Sequence, residues 1–108
     1  MSTLENFERM LAQGRDGGLL RYSLGNEYLK AGKPAEAAVH LRAALLLEPN
    51  HSASWKLLGK ALAESGDLVG ALDTYQQGIT VAEAKGDLQA AKEMTVFARR
   101  IDKQLAGA

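Results

Sequence analysis

The chain has 108 residues, which is the size of one small domain and leaves no room for a separate catalytic domain. Thirteen basic residues balance thirteen acidic ones, so the charge does not favour nucleic acid as a partner. The chain has no cysteine, which excludes disulfides, thiolate nucleophiles and cysteine-based metal sites. Its two histidines are too few for a metal site made of imidazoles alone. We therefore expect no cofactor and no metal, and the many alanines and leucines favour an all-α protein.

The first predicted element is a short helix over residues 3–12, on which Leu4, Phe7 and Leu11 share one face. Acidic residues near the start are atypical of a secretory signal, and no apolar run approaches the ~20 residues of a membrane span. The sequence therefore predicts a soluble, cytoplasmic protein that does not contact membranes. A flexible, glycine-rich connection over residues 14–18 follows this helix.

An internal repeat of 34 residues organises the middle of the chain, because this shift aligns Leu24-Gly25 with Leu58-Gly59. The two copies are residues 18–51 and 52–85. Each copy contains two amphipathic stretches that are separated by a short turn containing glycine. Both copies are therefore predicted to form helix–turn–helix hairpins.

Single residues mark the ends of the repeat helices. Pro34 suits the first turn of the second helix of the first copy, and Asp67 is a good N-cap for its counterpart. Between the copies, one helix ends before Pro49, and Ser52 is predicted to cap the next helix. This break is short, so the two hairpins must stack against each other.

The last predicted helix covers residues 88–105, and we expect its apolar arc to cover the exposed flank of the second hairpin. The residues of this arc are Leu88, Ala91, Met94, Phe97, Ala98, Ile101 and Leu105. The opposite arc carries a mostly basic set of side chains: Lys92, Val96, Arg99, Arg100 and Lys103. Because no aromatic residue lies among them, this arc is weak evidence for RNA binding and is typical of a solvated helix face. An acidic helix of a partner protein is the functional alternative for this arc.

A pattern of small and aromatic residues recurs in the two copies. It reads Leu24-Gly25-x-x-Tyr28 with Ala37, Ala44 and Pro49 in the first copy, and Trp55-x-x-Leu58-Gly59 with Ala71 and Tyr75 in the second. Over residues 18–85 the chain resembles the tetratricopeptide repeat (TPR) family. The resemblance implies an α–α superhelix of two TPR hairpins in a single domain, with residues 1–17 as a leading helix and linker and residues 86–108 as a capping helix.

The pattern has a physical reason, since large side chains at the small positions would push closely crossing helices apart. We predict that Gly25 and Gly59 lie at such crossings, and that Tyr28, Trp55 and Tyr75 fill the core around them.

The chain departs from the family pattern at two positions. Arg21 stands in place of the tryptophan of the first copy, and Glu83 stands in place of the proline of the second. Without that proline, the final helix of the second copy can continue from residue 68 to 84. Two repeats are fewer than the roughly three that a solenoid needs, so the flanking helices must complete the core. A monomer is favoured on this basis, with a homodimer as the alternative.

The resemblance also implies a site, because the first helices of TPR hairpins line a concave groove that holds a peptide or a partner's helix. The candidate peptide-binding residues on this face are Tyr22, Asn26, Lys56 and Lys60. The two lysines lie one turn apart and Asn26 offers an amide, so a carboxylate is a candidate ligand. The family's full carboxylate clamp is absent because Tyr22 replaces its usual lysine. The alternative for the lysines is a solvated helix face.

The chain offers little for catalysis. Glu36 and His40 lie one turn apart without a third metal ligand, so we interpret them as a surface pair. The glycines and Gly-Lys of residues 25–34 have the wrong spacing for a phosphate loop. We therefore predict a non-catalytic protein–protein interaction module, an adaptor that binds a peptide or partner helix in the concave groove. The alternative is a self-assembling scaffold, a homo-oligomer without a separate peptide ligand.

Overall fold

A computed structural model describes residues 2–107, which form six α-helices. These are α1 (Thr3–Ala12), α2 (Gly18–Lys30), α3 (Pro34–Leu47), α4 (Ser52–Glu64), α5 (Leu68–Ala84) and α6 (Leu88–Ala106). No strand occurs between residues 2 and 107, which confirms the predicted all-α fold. The helix that was expected to continue through residue 84 does so.

Local signals end and begin the helices as predicted. The turns that precede α3, α5 and α6 each contain one glycine in the left-handed region: Gly32, Gly66 and Gly86. Pro34 is the first residue of α3. The carboxylates of Asp67 and Asp87 accept hydrogen bonds from the backbone amides of Gly70 and Ala90 at 2.9 and 3.3 Å, so both aspartates cap their helices.

The cap that was predicted at Ser52 is wrong. Ser52 is the first residue of α4, and His51 occupies the N-cap position without a capping hydrogen bond from its side chain. The Ser52 hydroxyl is buried and has no hydrogen-bond partner in the described part of the chain. Because this side chain packs into the interior, its oxygen does not reach the open amides of the first turn.

The helices form two layers. Each helix packs against the next one along the chain, and contacts also join α2 to α4 and α4 to α6. Across residues 2–107, no Cα atom of α3 lies within 8 Å of a Cα atom of α5. Helices on the inside of a curved stack lie closer together than those on the outside, so α2, α4 and α6 form the inner layer, and α3 and α5 form the outer layer.

Glycines allow the two helices of each hairpin to cross closely, as predicted. A β-carbon added at Gly25 would lie 2.5 Å from Cγ of Leu41 in α3. A β-carbon added at Gly59 would lie 2.3 Å from a ring carbon of Tyr75 in α5. Leu41 and Tyr75 are both buried, so neither can move aside without disturbing the core.

The last helix covers the second hairpin and also extends the inner layer. α6 buries its small apolar face against α5 and contacts α4 as α4 contacts α2. Met94 is fully buried beside Gly78, where an added β-carbon would lie 2.6 Å from the Met94 sulfur and 2.7 Å from Cβ of Trp55. α6 therefore occupies the position of the first helix of a third hairpin, although the sequence pattern does not show a third repeat.

Polar contacts attach α1 to the first hairpin. The Tyr28 hydroxyl donates a hydrogen bond to Glu8 at 2.6 Å, which raises the pKa of Tyr28 to about 12. His40 stacks on the Tyr28 ring at 5.3 Å between centroids, and its Nε2 lies 3.7 Å from the Glu8 carboxylate. The His40 side chain is only 12% exposed. The predicted surface pair with Glu36 is therefore wrong, because His40 is enclosed by groups of α1 and α2.

Arg21, which replaces the expected tryptophan, binds the loop that precedes its own helix. Its guanidinium donates two hydrogen bonds to the carboxylate of Asp16, at 2.8 and 3.0 Å, and this lowers the pKa of Asp16. In the second copy, Nε1 of Trp55 donates to the carbonyl of Pro49 at 2.9 Å. The two side chains differ in chemistry, but each one ties the start of an inner helix to the segment before it.

We predict that Gly59→Leu lowers the free energy of unfolding by about 1–3 kcal/mol, because the new side chain would overlap the buried Tyr75 ring. Urea unfolding followed by circular dichroism measures this change. Gln76→Leu places the same side chain on an exposed position of α5 and should change the stability by less than about 0.5 kcal/mol. Equal stability of the two variants would contradict the close crossing.

We also predict that the melting temperature falls as the pH is lowered from about 7.5 to 5.5. Burial lowers the pKa of His40, with Arg21 acting in the same direction and with Glu8 and Asp16 opposing it. Because the folded-state pKa lies below the unfolded one, the unfolded chain binds the proton more readily. The stability contributed by neutral His40 is complete above about pH 6.5 and is lost as the pH falls through the lower, folded-state pKa.

Thermal melts of the native chain and of His40→Gln test this prediction. The melting temperature of His40→Gln should depend less on pH than that of the native chain. A native melting temperature that does not change across this pH range would show that His40 is not held neutral by the fold.

Candidate functional site

The inner layer carries a cleft between α4 and α6. It has a volume of about 440 Å³ and is open to solvent, and most of its lining is apolar. The lining residues are Lys60, Ala63, Glu64, Tyr75, Phe97, Arg100, Ile101 and Gln104. Seven of these eight residues belong to the two inner helices, and Tyr75 of α5 lies behind them in the core. We call this feature the inner cleft.

Two aromatic rings form the floor of the inner cleft. Tyr75 and Phe97 lie 5.7 Å apart between centroids with their planes tilted by 45°. Tyr75 is buried whereas Phe97 is half-buried, so Phe97 is the ring that a ligand can reach. Burial, with a smaller contribution from Glu64, raises the pKa of Tyr75 to about 12. The phenol therefore stays neutral near pH 7, and the floor is uncharged.

Charged side chains surround this floor. The Arg100 guanidinium lies 5.8 Å from the centroid of the Phe97 ring, which is within the range of a cation–π contact. Lys60 is exposed and has no ion-pair partner among residues 2–107, and Glu64 contributes the one acidic group of the lining. Two cations and one anion give the rim a net positive charge.

The two predicted lysines differ in their surroundings. Nζ of Lys56 lies 3.1 Å from the Glu93 carboxylate of α6, and this salt bridge lowers the pKa of Glu93. The charge of the Lys56 ammonium is therefore balanced by the Glu93 carboxylate, whereas the exposed Lys60 lines the inner cleft. The helical spacing suggested two ammonium groups that are equally available to a ligand. In the fold, only the Lys60 ammonium of this pair lacks an ion-pair partner among residues 2–107.

Tyr22 and Asn26 lie on α2, at the other end of the inner layer. Tyr22 is half-buried, and its ring meets the His51 ring edge-on at 5.0 Å between centroids. Tyr22 therefore takes part in packing. The sequence had suggested that its side chain is freely exposed on the groove. Asn26 is also half-buried, and no group in the described chain hydrogen-bonds to its amide.

Sequence reasoning missed the contribution of α6 to the inner face. Phe97 was assigned to the apolar arc of the last helix, and Arg100 to its solvated arc. In the structure both line the inner cleft, together with Gln104. One helix face of α6 carries Glu93, Phe97, Arg100 and Gln104, as their spacing in the sequence shows. This spacing is the feature from which the contribution of α6 could have been predicted.

Comparison with known proteins identifies the family. A family model described as "Tetratricopeptide repeat" matches residues 22–87. The chain belongs to the tetratricopeptide repeat family. A TPR repeat-containing protein of Pseudomonas aeruginosa is 50% identical over 100 residues, which cover 93% of this chain and 95% of that one.

Solved structures agree with the TPR assignment. The solution structure of a protein from Bordetella parapertussis is similar with a TM-score of 0.85 and 42% identity, and the match covers 96% of this chain and 90% of that one. A TPR domain protein from Salinibacter ruber, solved in solution, gives a TM-score of 0.75 and 25% identity over 82% of this chain and 89% of that one. The predicted TPR fold is thus confirmed.

TPR domains are generally protein-interaction modules and typically have no catalytic activity. Within residues 2–107, no helix combines the length and apolarity needed to cross a membrane. The same residues contain no group of three or more histidine or carboxylate side chains that could hold a metal ion.

Proposed function

We propose that this TPR protein is a non-catalytic adaptor whose inner layer binds an extended peptide or a helix of a partner protein. The observation that carries the proposal is the inner cleft, whose lining combines the half-buried Phe97 with the cations Lys60 and Arg100. Apolar clefts with a few converging polar groups are the usual form of a binding site. In this proposal residues 1–108 act as one TPR domain, and α6, which lies in the capping segment of residues 86–108, also forms a wall of the site.

The chemistry of the inner cleft favours a segment with an apolar side chain next to an acidic one. The apolar side chain would cover Phe97 and lose contact with water, which is the main favourable contribution to binding. A neighbouring carboxylate would meet Lys60 and Arg100, whose charges exceed that of Glu64. The two-hairpin surface is small, so the affinity should be modest.

The four sequence-predicted residues have different roles in this proposal. Lys60 contacts the ligand directly at the inner cleft. Lys56 holds Glu93 and thereby joins α4 to α6 beside the path of the ligand. Asn26 offers an unsatisfied amide to a peptide backbone, and Tyr22 adds apolar surface at the far end of the layer.

The test compares partner capture by three full-length proteins: the native chain, the double variant Lys60→Glu/Arg100→Glu and the control Arg15→Glu/Lys33→Glu. Both variants reverse two charges, but Arg15 and Lys33 lie in exposed turns away from the inner cleft. Proteins captured from a native lysate are identified by mass spectrometry, and the affinity of each is then measured by titration calorimetry. We expect the inner-cleft variant to bind at least tenfold more weakly, with the control unchanged.

Equal binding by all three proteins would contradict the inner cleft as the site. Recovery of the chain alone would instead favour the self-assembling scaffold. Circular dichroism establishes that each variant remains helical before its binding is compared.

A further inference from the structure

The outward side of α6 lacks the packing that the other inner helices have. The inner helix α4 is packed by two outer helices, α3 on one side and α5 on the other, whereas α6 is packed by one outer helix, α5, besides its contact with α4. On its open side lies a cleft of about 390 Å³ at the end of the stack. The residues that define this end face are Glu83 of α5 and Leu88, Lys92, Thr95, Val96 and Arg99 of α6.

Two large aliphatic side chains are exposed on the end face. Leu88 is 61% exposed and Val96 is 43% exposed, although both are large aliphatic side chains. Their spacing, with Lys92 between them, places the three residues on one stripe along α6. Terminal helices of repeat proteins usually present a polar outer face, so this aliphatic stripe needs a separate explanation.

The end face carries a net positive charge, which favours an acidic partner. Lys92 and Arg99 lie along the aliphatic stripe, and both are exposed with no ion-pair partner between residues 2 and 107. Lys103 continues the row one turn beyond Arg99. Glu83 is the only acidic residue in the lining. The face is therefore positive along its length and apolar at its centre.

We propose that the end face docks an acidic amphipathic helix of a partner protein, which stacks on α6 as the next helix of the superhelix. Its apolar stripe would cover Leu88 and Val96, and its carboxylates would pair with Lys92 and Arg99, the latter able to bind a carboxylate through two hydrogen bonds. A second copy of this chain is a poor occupant in a symmetric arrangement, because the cations of the two end faces would repel each other. This site lies outside the inner cleft and does not depend on it.

A pair of synthetic helical peptides of about 18 residues tests the proposal. Both carry leucines at positions i, i+3, i+4 and i+7, and the leucine stripe is flanked by glutamates in one peptide and by lysines in the other. Each is titrated into the full-length, ¹⁵N-labelled protein, and backbone amide signals are followed by NMR. We expect the acidic peptide to shift the signals of Glu83 and of α6 residues on the end face, with binding weakened by added salt.

Two charge-reversal variants identify the face. Lys92→Glu/Arg99→Glu should weaken binding of the acidic peptide at least tenfold and remove the amide shifts at the end face, whereas Lys60→Glu/Arg100→Glu, in the inner cleft, should weaken it much less and retain those shifts. The more conservative Lys92→Gln/Arg99→Gln should have a smaller effect in the same direction. All six substitutions are at exposed positions, and their folding is checked by circular dichroism.

Several results would overturn the proposal. These are absence of binding by the acidic peptide, equal binding by the lysine peptide, and amide shifts that cluster at the inner cleft. Undiminished binding by Lys92→Glu/Arg99→Glu would do the same. Shifts at the inner cleft would instead support that site, and the other results leave partner capture at the inner cleft untested, so the two proposals fail separately.

Discussion

Close helix crossing at glycine is the constraint on which the rest of this structure depends. At Gly25 and Gly59 the partner helix approaches so closely that even a β-carbon would overlap Leu41 or Tyr75. This short separation holds α2 against α3 and α4 against α5. At the second crossing it brings Tyr75 beneath Gly59, where the Tyr75 ring forms part of the inner cleft.

The same constraint explains how two repeats form a stable domain. Gly78 admits Met94 against Trp55, so α6 packs on α5 and supplies the burial that a third hairpin would otherwise provide. The opposite end is held differently, by the polar contacts of Glu8 with α2 and α3. One end of the stack therefore relies on apolar packing and the other on a small, partly exposed polar network, and both clefts of the two proposals lie at the α6 end.

Much of the fold could be predicted because its signals are local. The 34-residue period, Pro34 and Asp67 act within a few residues, so the sequence alone indicates the hairpins and most helix ends. Ser52 failed as a cap because tertiary burial decided its environment. The pairing of Lys56 with Glu93 could not be predicted from the sequence, because helical periodicity assigns a residue to a helix face without showing which helix lies opposite that face. The position of Phe97 and Arg100 in the inner cleft could not be predicted for the same reason.

The central claim is that α6 belongs to the cooperative stack and forms part of its inner layer. Native-state amide hydrogen exchange on the full chain tests this claim most directly. The central amides of α6, around Met94 and Ala98, should exchange with the same free energy of opening as those around Gly78 in α5. Protection in α6 that is at least a hundredfold weaker than in α5 would contradict the claim, because α6 would then open independently of the hairpins.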